Sequence, residues 1–492
     1  MTVDVIDKTL SAQGQDHEAQ ADVERPSLLR KVLRMGRVEE NGIRPLAVEE
    51  RTNTRFFNIF TVWFSINSNI LGIFFGMLGP TIYGLSLRDS ALVIVFFGLV
   101  TTIPPGYLTV WGPKTGMRQM VQARYSFGRY AVSIPVLFNL VTMMGFTVIV
   151  LVLGGQCLSA VSDGRLTATV GIVIIAVLSL LVSFAGFKVL HAFETYAYLV
   201  ALVSILVTVC IGGRDLDEQW EPPQPPRARQ VLDFGMVVAS YQIPWAPLAS
   251  DFTTYFDPKV PSWRAFHYAY WGLLLPTVVL MILGAAIGGA LPLHADWTLQ
   301  FHENLVGGVL SAMLANVHGF GKFLVVVLCL TLLGNTCGTF YAITLNLQTL
   351  APGLSRVPRY VFSIVTTAII VPIASLALGN FLQNLENFIA LIGYWSAAFV
   401  AVVMTEHLVF RRGRFDSYDP AAWNKASLLP WGAAAMGAFV VAFGCVVPFM
   451  NTKLWTGPVG EKTGDIGFEV AFFVAALAYL PLRWLERRVS GR

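Results

Sequence analysis

The sequence predicts an all-α polytopic membrane protein with twelve transmembrane helices, the first and sixth of them broken near mid-depth. Three observations predict it. The 492-residue chain is 55% hydrophobic and 13% charged, with a mean hydropathy of +0.62, whereas a soluble domain carries roughly 25% charged residues. Apolar stretches long enough to cross a bilayer, which takes about 20 residues, recur twelve times. Two of them, within residues 58–83 and 231–256, carry helix-interrupting residues in their middle: Asn67, Asn69 and Gly72 in the first, Pro244 and Pro247 in the second. Unpaired backbone groups in hydrocarbon cost several kcal/mol each, so a broken helix persists only where protein buries it or where it lines a cavity. Two breaks at matching places in two halves of a membrane chain point to a transporter's substrate site.

The spans are expected at residues 58–83, 89–110, 131–161, 167–187, 190–212, 231–256, 266–291, 319–349, 358–378, 386–410, 429–449 and 467–485. Lys and Arg are retained on the cytoplasmic side of short loops. With the N-terminus inside, thirteen basic residues fall in cytoplasmic loops and eight in the opposite ones, so both termini are expected in the cytoplasm. The net charge of +4 follows from this asymmetry and implies no nucleic-acid partner. Residues 1–57 form a polar cytoplasmic segment without an apolar run, so no cleavable signal peptide is expected. Its first 24 residues read as disordered, because they bury too little apolar surface to offset ordering entropy. Residues 26–37, PSLLRKVLRMGR, read equally as a helix on the inner leaflet or as a solvated one.

A first five-span unit, 58–212, is joined by a Pro-rich extracellular linker, 213–230, to a second, 231–410. Accessory spans eleven and twelve (411–485) and a cytoplasmic tail (486–492) follow. Five crossings are an odd number, so the second unit starts on the opposite side from the first, which predicts an inverted repeat. The extra-membrane segments are otherwise short and leave no room for a soluble catalytic domain.

Candidate ligand groups lie at the breaks. Ser65 and Asn67 supply short polar side chains beside a backbone that Gly72 allows to unwind. Ser, Asn and Gly also mediate helix packing in membranes, so packing stands as the alternative. Trp245 lies between Pro244 and Pro247, where its indole face can stack on a flat heteroaromatic ring. In the eighth span, Asn335 and Thr339 share a helix face, and an amide can both donate to and accept from a base edge. Asp251, close to the second break, is a candidate for coupling or gating by virtue of being an intramembrane carboxylate; the alternative is a structural pairing with Lys259 or Arg264. His191 with Glu194, and Glu406 with His407, admit a metal or proton-relay reading. The missing third and fourth ligands favour interfacial polar residues at span ends instead. All five cysteines fall within spans, an odd number of buried thiols with neither disulfide nor zinc spacing. No nucleophile with its base and no metal set assembles from spacing, so the chain is not expected to be an enzyme, and a channel does not need a tryptophan-lined break.

The run WGPKTGMRQMVQARYSFGR at residues 111–129 makes the pattern specific, together with SINSN from Ser65, GMLGP from Gly76, WAPLASDFTTY from Trp245 and LIGYW from Leu391. These motifs resemble the purine-cytosine permease family of the nucleobase-cation symporters, in order and spacing, from about Arg37 to the C-terminus. The resemblance implies a LeuT-like fold with a five-plus-five inverted repeat and two accessory spans. It also implies proton-driven import of cytosine and purines across a plasma membrane, with a small nucleobase-like substrate, no cofactor beyond the coupling proton and no obligate protein partner. By resemblance Ser65 contacts substrate and Trp245 stacks on it. The chain departs from the family in two places. The eighth span keeps Asn335 but has Thr336, Gly338 and Thr339 where further amides and a Pro are usual. In the third span, Phe146 and Val150 replace the usual Trp and Asn ahead of Gly154, Gly155 and Gln156. Phe146 can still stack, but Val150 cannot hydrogen-bond, which puts cytosine in question and keeps purines or a B6 vitamer as candidates. Cys329 and Leu330 stand where hydroxyls for a sodium ion are expected, which favours proton coupling. A non-transporting nutrient receptor of the same fold is the alternative from another class.

Overall fold

The computed structural model describes residues 42–492 except 185, 351–352, 355–356 and 358, with backbone alone for 183–184, 186–197 and 359–360. The readings for residues 1–24 and 26–37, and for His191 and Glu194, lie outside the described residues and side chains.

Each of the twelve expected intervals contains helix among its described residues. The first interval holds α1 (Phe57–Asn67) and α2 (Ile70–Thr81), which meet at an angle of 56°. Next come α3 (Leu87–Thr101), extended by two short turns to Thr115, and α4 (Gln119–Phe127), which lies in the loop. The chain continues through α5 (Ser133–Val161), α6 (Ala168–Phe184) and α7 (Gly186–Gly212). Then α8 (Ala228–Gln242) runs into a ten-residue 3-10 segment, Ile243–Phe252, followed by α9 (Ser262–Ala290). After α10 (Ala295–Met313), the eighth interval is divided at Thr331 into α11 (His318–Leu330) and α12 (Leu332–Leu350). The last four are α13 (Arg359–Ala377), α14 (Phe381–Thr405), α15 (Ala433–Val446) and α16 (Gly467–Ser490). Among the described residues, seven helices are long and apolar enough to cross a membrane, and the bent α1–α2 pair makes an eighth.

Two glycines seat the broken first span in the bundle. A Cβ on Gly76 of α2 would stand 1.9 Å from the Met281 carbonyl oxygen of α9, and one on Gly284 of α9 would stand 1.9 Å from that of Ile73. The two helices therefore touch backbone to backbone at reciprocal sites, the small-residue packing that membrane helices use in place of a hydrophobic driving force. Leu71, Ile73, Phe74 and Phe75 fill the core around that seam.

The segment between α9 and α11 falls among the extra-membrane segments that the sequence predicts to be short, yet it holds a helix of 19 residues. It forms α10, whose Trp297, Phe301, Leu305 and Val309 are all buried. The fourfold spacing is an amphipathic signal, interrupted by a kink at Asn304 and Leu305, where Leu305 takes φ 47°.

Glu406 and His407, at the end of their span, are buried within the protein. Glu406 is only 2% exposed and accepts from Arg411 Nε (3.1 Å), Arg483 Nε (3.0 Å) and the Tyr479 hydroxyl (3.0 Å), clamping the end of α14 to α16. His407 is walled in by Trp111 and Phe415 at 4.6 and 4.8 Å between ring centroids. The loop after α14 folds back over both residues, which is why a position at the end of a span is buried. Among the described residues no cluster of His, Cys, Asp or Glu is arranged to hold a metal.

Candidate substrate cavity

The break in the first span is made by side chains that compete with the helix for its own carbonyls. Asn67 Nδ2 donates to Trp63 O (3.0 Å), Ser68 Oγ to Phe64 O (2.6 Å) and Asn69 Nδ2 to Ile66 O (2.7 Å). Asn69 then starts α2 as its N-cap, with extended backbone and Oδ1 accepting from Leu71 N at 2.9 Å. Gly72 lies inside α2 and takes no part in the unwinding. The prolines of the sixth span do not open a coil either. Lacking N–H groups, Pro244 and Pro247 interrupt the α pattern, and the chain goes on as the tighter 3-10 helix.

Between the two breaks is a narrow cavity lined by Leu71 of α2, Met143 and Phe146 of α5, Tyr241 of α8, Pro244 and Trp245 of the 3-10 segment, and Asn335 and Thr339 of α12. Only about 10 Å³ is open to the centre of a water molecule, room for roughly one water, so the walls are drawn together around the site. Four of the residues singled out in the sequence meet here: Phe146, Trp245, Asn335 and Thr339. Ser65, Asn67 and Asp251 are buried but do not line the cavity. Leu71, Met143 and Tyr241 are lining residues that the sequence reading missed, although Tyr241 stands one helical turn before Trp245.

Aromatic contacts flank the cavity on two sides. Phe146 meets Phe388 of α14 edge to face at 6.0 Å. Beyond Phe388 lies an apolar groove of about 380 Å³ lined by Gly145, Val148, Phe381 and Leu385 among others. On the other side Trp245 meets Trp63 at 5.6 Å, Trp63 meets Phe252 at 5.1 Å, and Phe252 meets Tyr341 at 5.9 Å. Arg118 closes that column, donating from Nη1 to the Tyr341 hydroxyl (2.6 Å) and to the Asp251 carbonyl (2.5 Å).

Asp251 works at the same junction. Its Oδ1 accepts from Gln119 N at 2.7 Å, at the first turn of α4, where a carboxylate also meets the positive end of the helix dipole. The structure thus joins Asp251 to Arg118 and Gln119, and not to Lys259 or Arg264 as the structural alternative supposed.

At the opposite ends of α8 and α14, the loop before α16 is fastened by a second carboxylate. Asp465 accepts from the Tyr394 hydroxyl, from Asn451 N (3.0 Å) and from Gly467 N (2.9 Å), and its own N–H donates to Asp233 Oδ1 (2.7 Å). Burial pushes the Asp465 carboxyl above the usual aspartate range, and the hydrogen bonds it accepts pull against that rise.

An all-helical bundle with membrane-spanning helices and a narrow aromatic cavity between two broken helices is the architecture of a secondary transporter. The chain belongs to the family of permeases for cytosine/purines, uracil, thiamine and allantoin, whose sequence profile matches residues 45–460. It is 31% identical over 461 residues to the purine-cytosine permease fcyB of Emericella nidulans, covering 92% of this chain and 90% of that one. It is also 28% identical over 528 residues to the vitamin B6 transporter TPN1 of Saccharomyces cerevisiae, covering 94% and 90%. The fold matches that of Mhp1, a nucleobase-cation-symport-1 family transporter solved in a closed conformation with bromovinylhydantoin bound. The TM-score is 0.70 at 16% identity, over 91% of this chain and 96% of Mhp1. The protein is therefore a multi-pass membrane permease for nucleobase-like heterocycles, and not an enzyme.

Proposed function

We propose that this permease is a proton-coupled symporter that imports purine-type nucleobases by alternating access across the plasma membrane, with both termini in the cytoplasm. The observation that carries the reading is the make-up of the cavity, in which Phe146 and Trp245 offer aromatic faces and Asn335 and Thr339 offer polar groups. A flat base gains roughly 1–3 kcal/mol by stacking on an aromatic side chain, and an amide matches a base edge that both donates and accepts. The fcyB relative, named as a purine-cytosine permease, supports the same substrate class. In the proposed cycle the substrate enters past Phe388 and is enclosed between the breaks. It leaves when the Trp245–Trp63–Phe252 column and the Arg118 junction part, as the core bundle that carries the breaks rocks against the rest.

The first break supports a proton over a sodium ion as the coupling ion. Ile66 O accepts from Asn69 Nδ2, and Phe64 O keeps Ser68 N (2.9 Å) beside Ser68 Oγ, so few carbonyl lone pairs are open to an ion there. A B6 vitamer is the second reading, favoured by the TPN1 relative.

The test is uptake of radiolabelled adenine, hypoxanthine and cytosine in a host stripped of its own permeases, with unlabelled pyridoxine as competitor and a protonophore control. Protonophore-sensitive purine accumulation is the expected result. Pyridoxine accumulation without nucleobase uptake moves the substrate to the second reading, and a surface-expressed protein that accumulates none of them defeats both.

A further inference from the structure

Among the polar groups of the cavity, one hydroxyl has its hydrogen uncommitted. The Thr339 hydroxyl donates to its own helix at Asn335 O, 2.6 Å away, and so faces a ligand as an acceptor. Tyr241 differs. The residue is 2% exposed and is one of those lining the cavity, and its hydroxyl, itself buried, has no hydrogen-bond partner among the described residues. The ring is held by Phe75 of α2, with centroids 5.1 Å apart, and the oxygen lies beside Gly72, 3.9 Å from where a Cβ there would stand. A buried hydroxyl without a partner has given up its hydrogen bonds to water for nothing in return. A phenylalanine fills the same space without that loss, so the oxygen at this position calls for a partner that arrives later.

We propose that the Tyr241 hydroxyl is a substrate contact, donating a hydrogen bond to an unprotonated ring nitrogen or an exocyclic carbonyl in the plane of the bound heterocycle, while Asn335 and Thr339 hold other polar atoms from α12. The inference rests on the reading of this cavity as the heterocycle site. It narrows the substrate class to planar rings that carry an acceptor for α8 as well as polar groups for α12. With Val150 of α5 apolar and off the cavity, α8 supplies a polar contact that α5 does not.

The experiment measures binding to the purified full-length protein for wild type and Tyr241→Phe, with adenine, hypoxanthine and pyridoxine as probes and a set of deaza-purines in which one ring nitrogen at a time is replaced by C–H. Tyr241→Phe is expected to melt at or above the wild-type temperature and to bind the preferred ligand about tenfold more weakly. One deaza analogue is expected to bind wild type about as weakly as its parent binds Tyr241→Phe, and to lose nothing further in the variant. Equal affinities of the two proteins for every ligand overturn the contact while leaving the cavity reading in place. A variant that melts below wild type shows that the hydroxyl has a partner inside the protein, and also overturns it. Wild-type protein that binds none of the probes overturns the cavity reading and the contact with it.

Discussion

The two broken helices look alike as sequence and behave differently as structure. In the first, Asn67, Ser68 and Asn69 turn their side chains back onto the carbonyls of α1 and the N-terminus of α2, so the break is satisfied from within. In the sixth, Pro244 and Pro247 remove backbone donors and add no polar side chain. The chain tightens into a 3-10 helix, and Tyr241, Pro244 and Trp245 line the cavity. A break made by short polar residues shapes the backbone, whereas a break made by prolines leaves its neighbours available to a ligand. Both are tolerated in the membrane because each is buried in protein.

The largest effect that separates them is expected from Asn69→Ala. It removes one donor and one acceptor at a buried joint, stranding Ile66 O and Leu71 N, and should destabilise the protein by about 3 kcal/mol. Thermal unfolding in detergent reads this directly, and a variant as stable as wild type would dissolve the distinction between the breaks. Trp245→Ala is the converse test. It should weaken substrate binding by about 1–3 kcal/mol, measured as Kd on the purified protein, while Asn67→Ser should change the Kd little. The opposite ranking would move the ligand to the first break.

Asp251 sharpens the comparison at the far end of the sixth span. Asp251→Ala deletes the acceptor for Gln119 N and should cost about 1 kcal/mol of stability. Asp251→Asn keeps an oxygen there and should keep both stability and proton-driven accumulation. Loss of protonophore-sensitive uptake in a well-folded Asp251→Asn protein would instead make this residue the proton carrier.

The smallest effect concerns Asp465. Its folded-state pKa is raised by burial, above an unfolded value of about 3.9, so the folded protein binds this proton more tightly than the unfolded chain does. The stability it adds is complete below about pH 3.9 and is lost as pH rises through the folded pKa. Melting temperature should fall over that window in wild type and fall less in Asp465→Asn, which cannot ionise. A steeper fall in the variant would reverse the assignment.

Much of the fold was legible because a bilayer imposes length and hydropathy on every helix that crosses it, and polar or proline interruptions of such helices are conspicuous. The α10 helix escaped because its spacing of apolar residues sits in a segment too polar to read as a span, with His294, Asp296, His302 and Glu303 among them. At the site, Trp245 was recognisable between two prolines, Asn335 and Thr339 as polar residues on one face of an apolar span, and Phe146 through the family resemblance. Trp63, Phe252 and Phe388 were not, since one aromatic residue in an apolar helix looks like any other until its neighbours are known. Tyr241 was within reach, standing four residues before Trp245 where α8 runs into the 3-10 segment.

The sequence by itself determined the class of protein, the places where helices run and break, and most of the chemistry offered to a flat, polar-edged ligand. These depend on composition and on spacing along one chain, which local physics reads without knowledge of the fold. Only the tertiary structure decided which polar side chains line the cavity and which close a break, which aromatic pairs flank it, and that the Tyr241 hydroxyl has no partner among the described residues. Each of those depends on the direction a side chain takes against residues far away in the chain, and packing settles that direction.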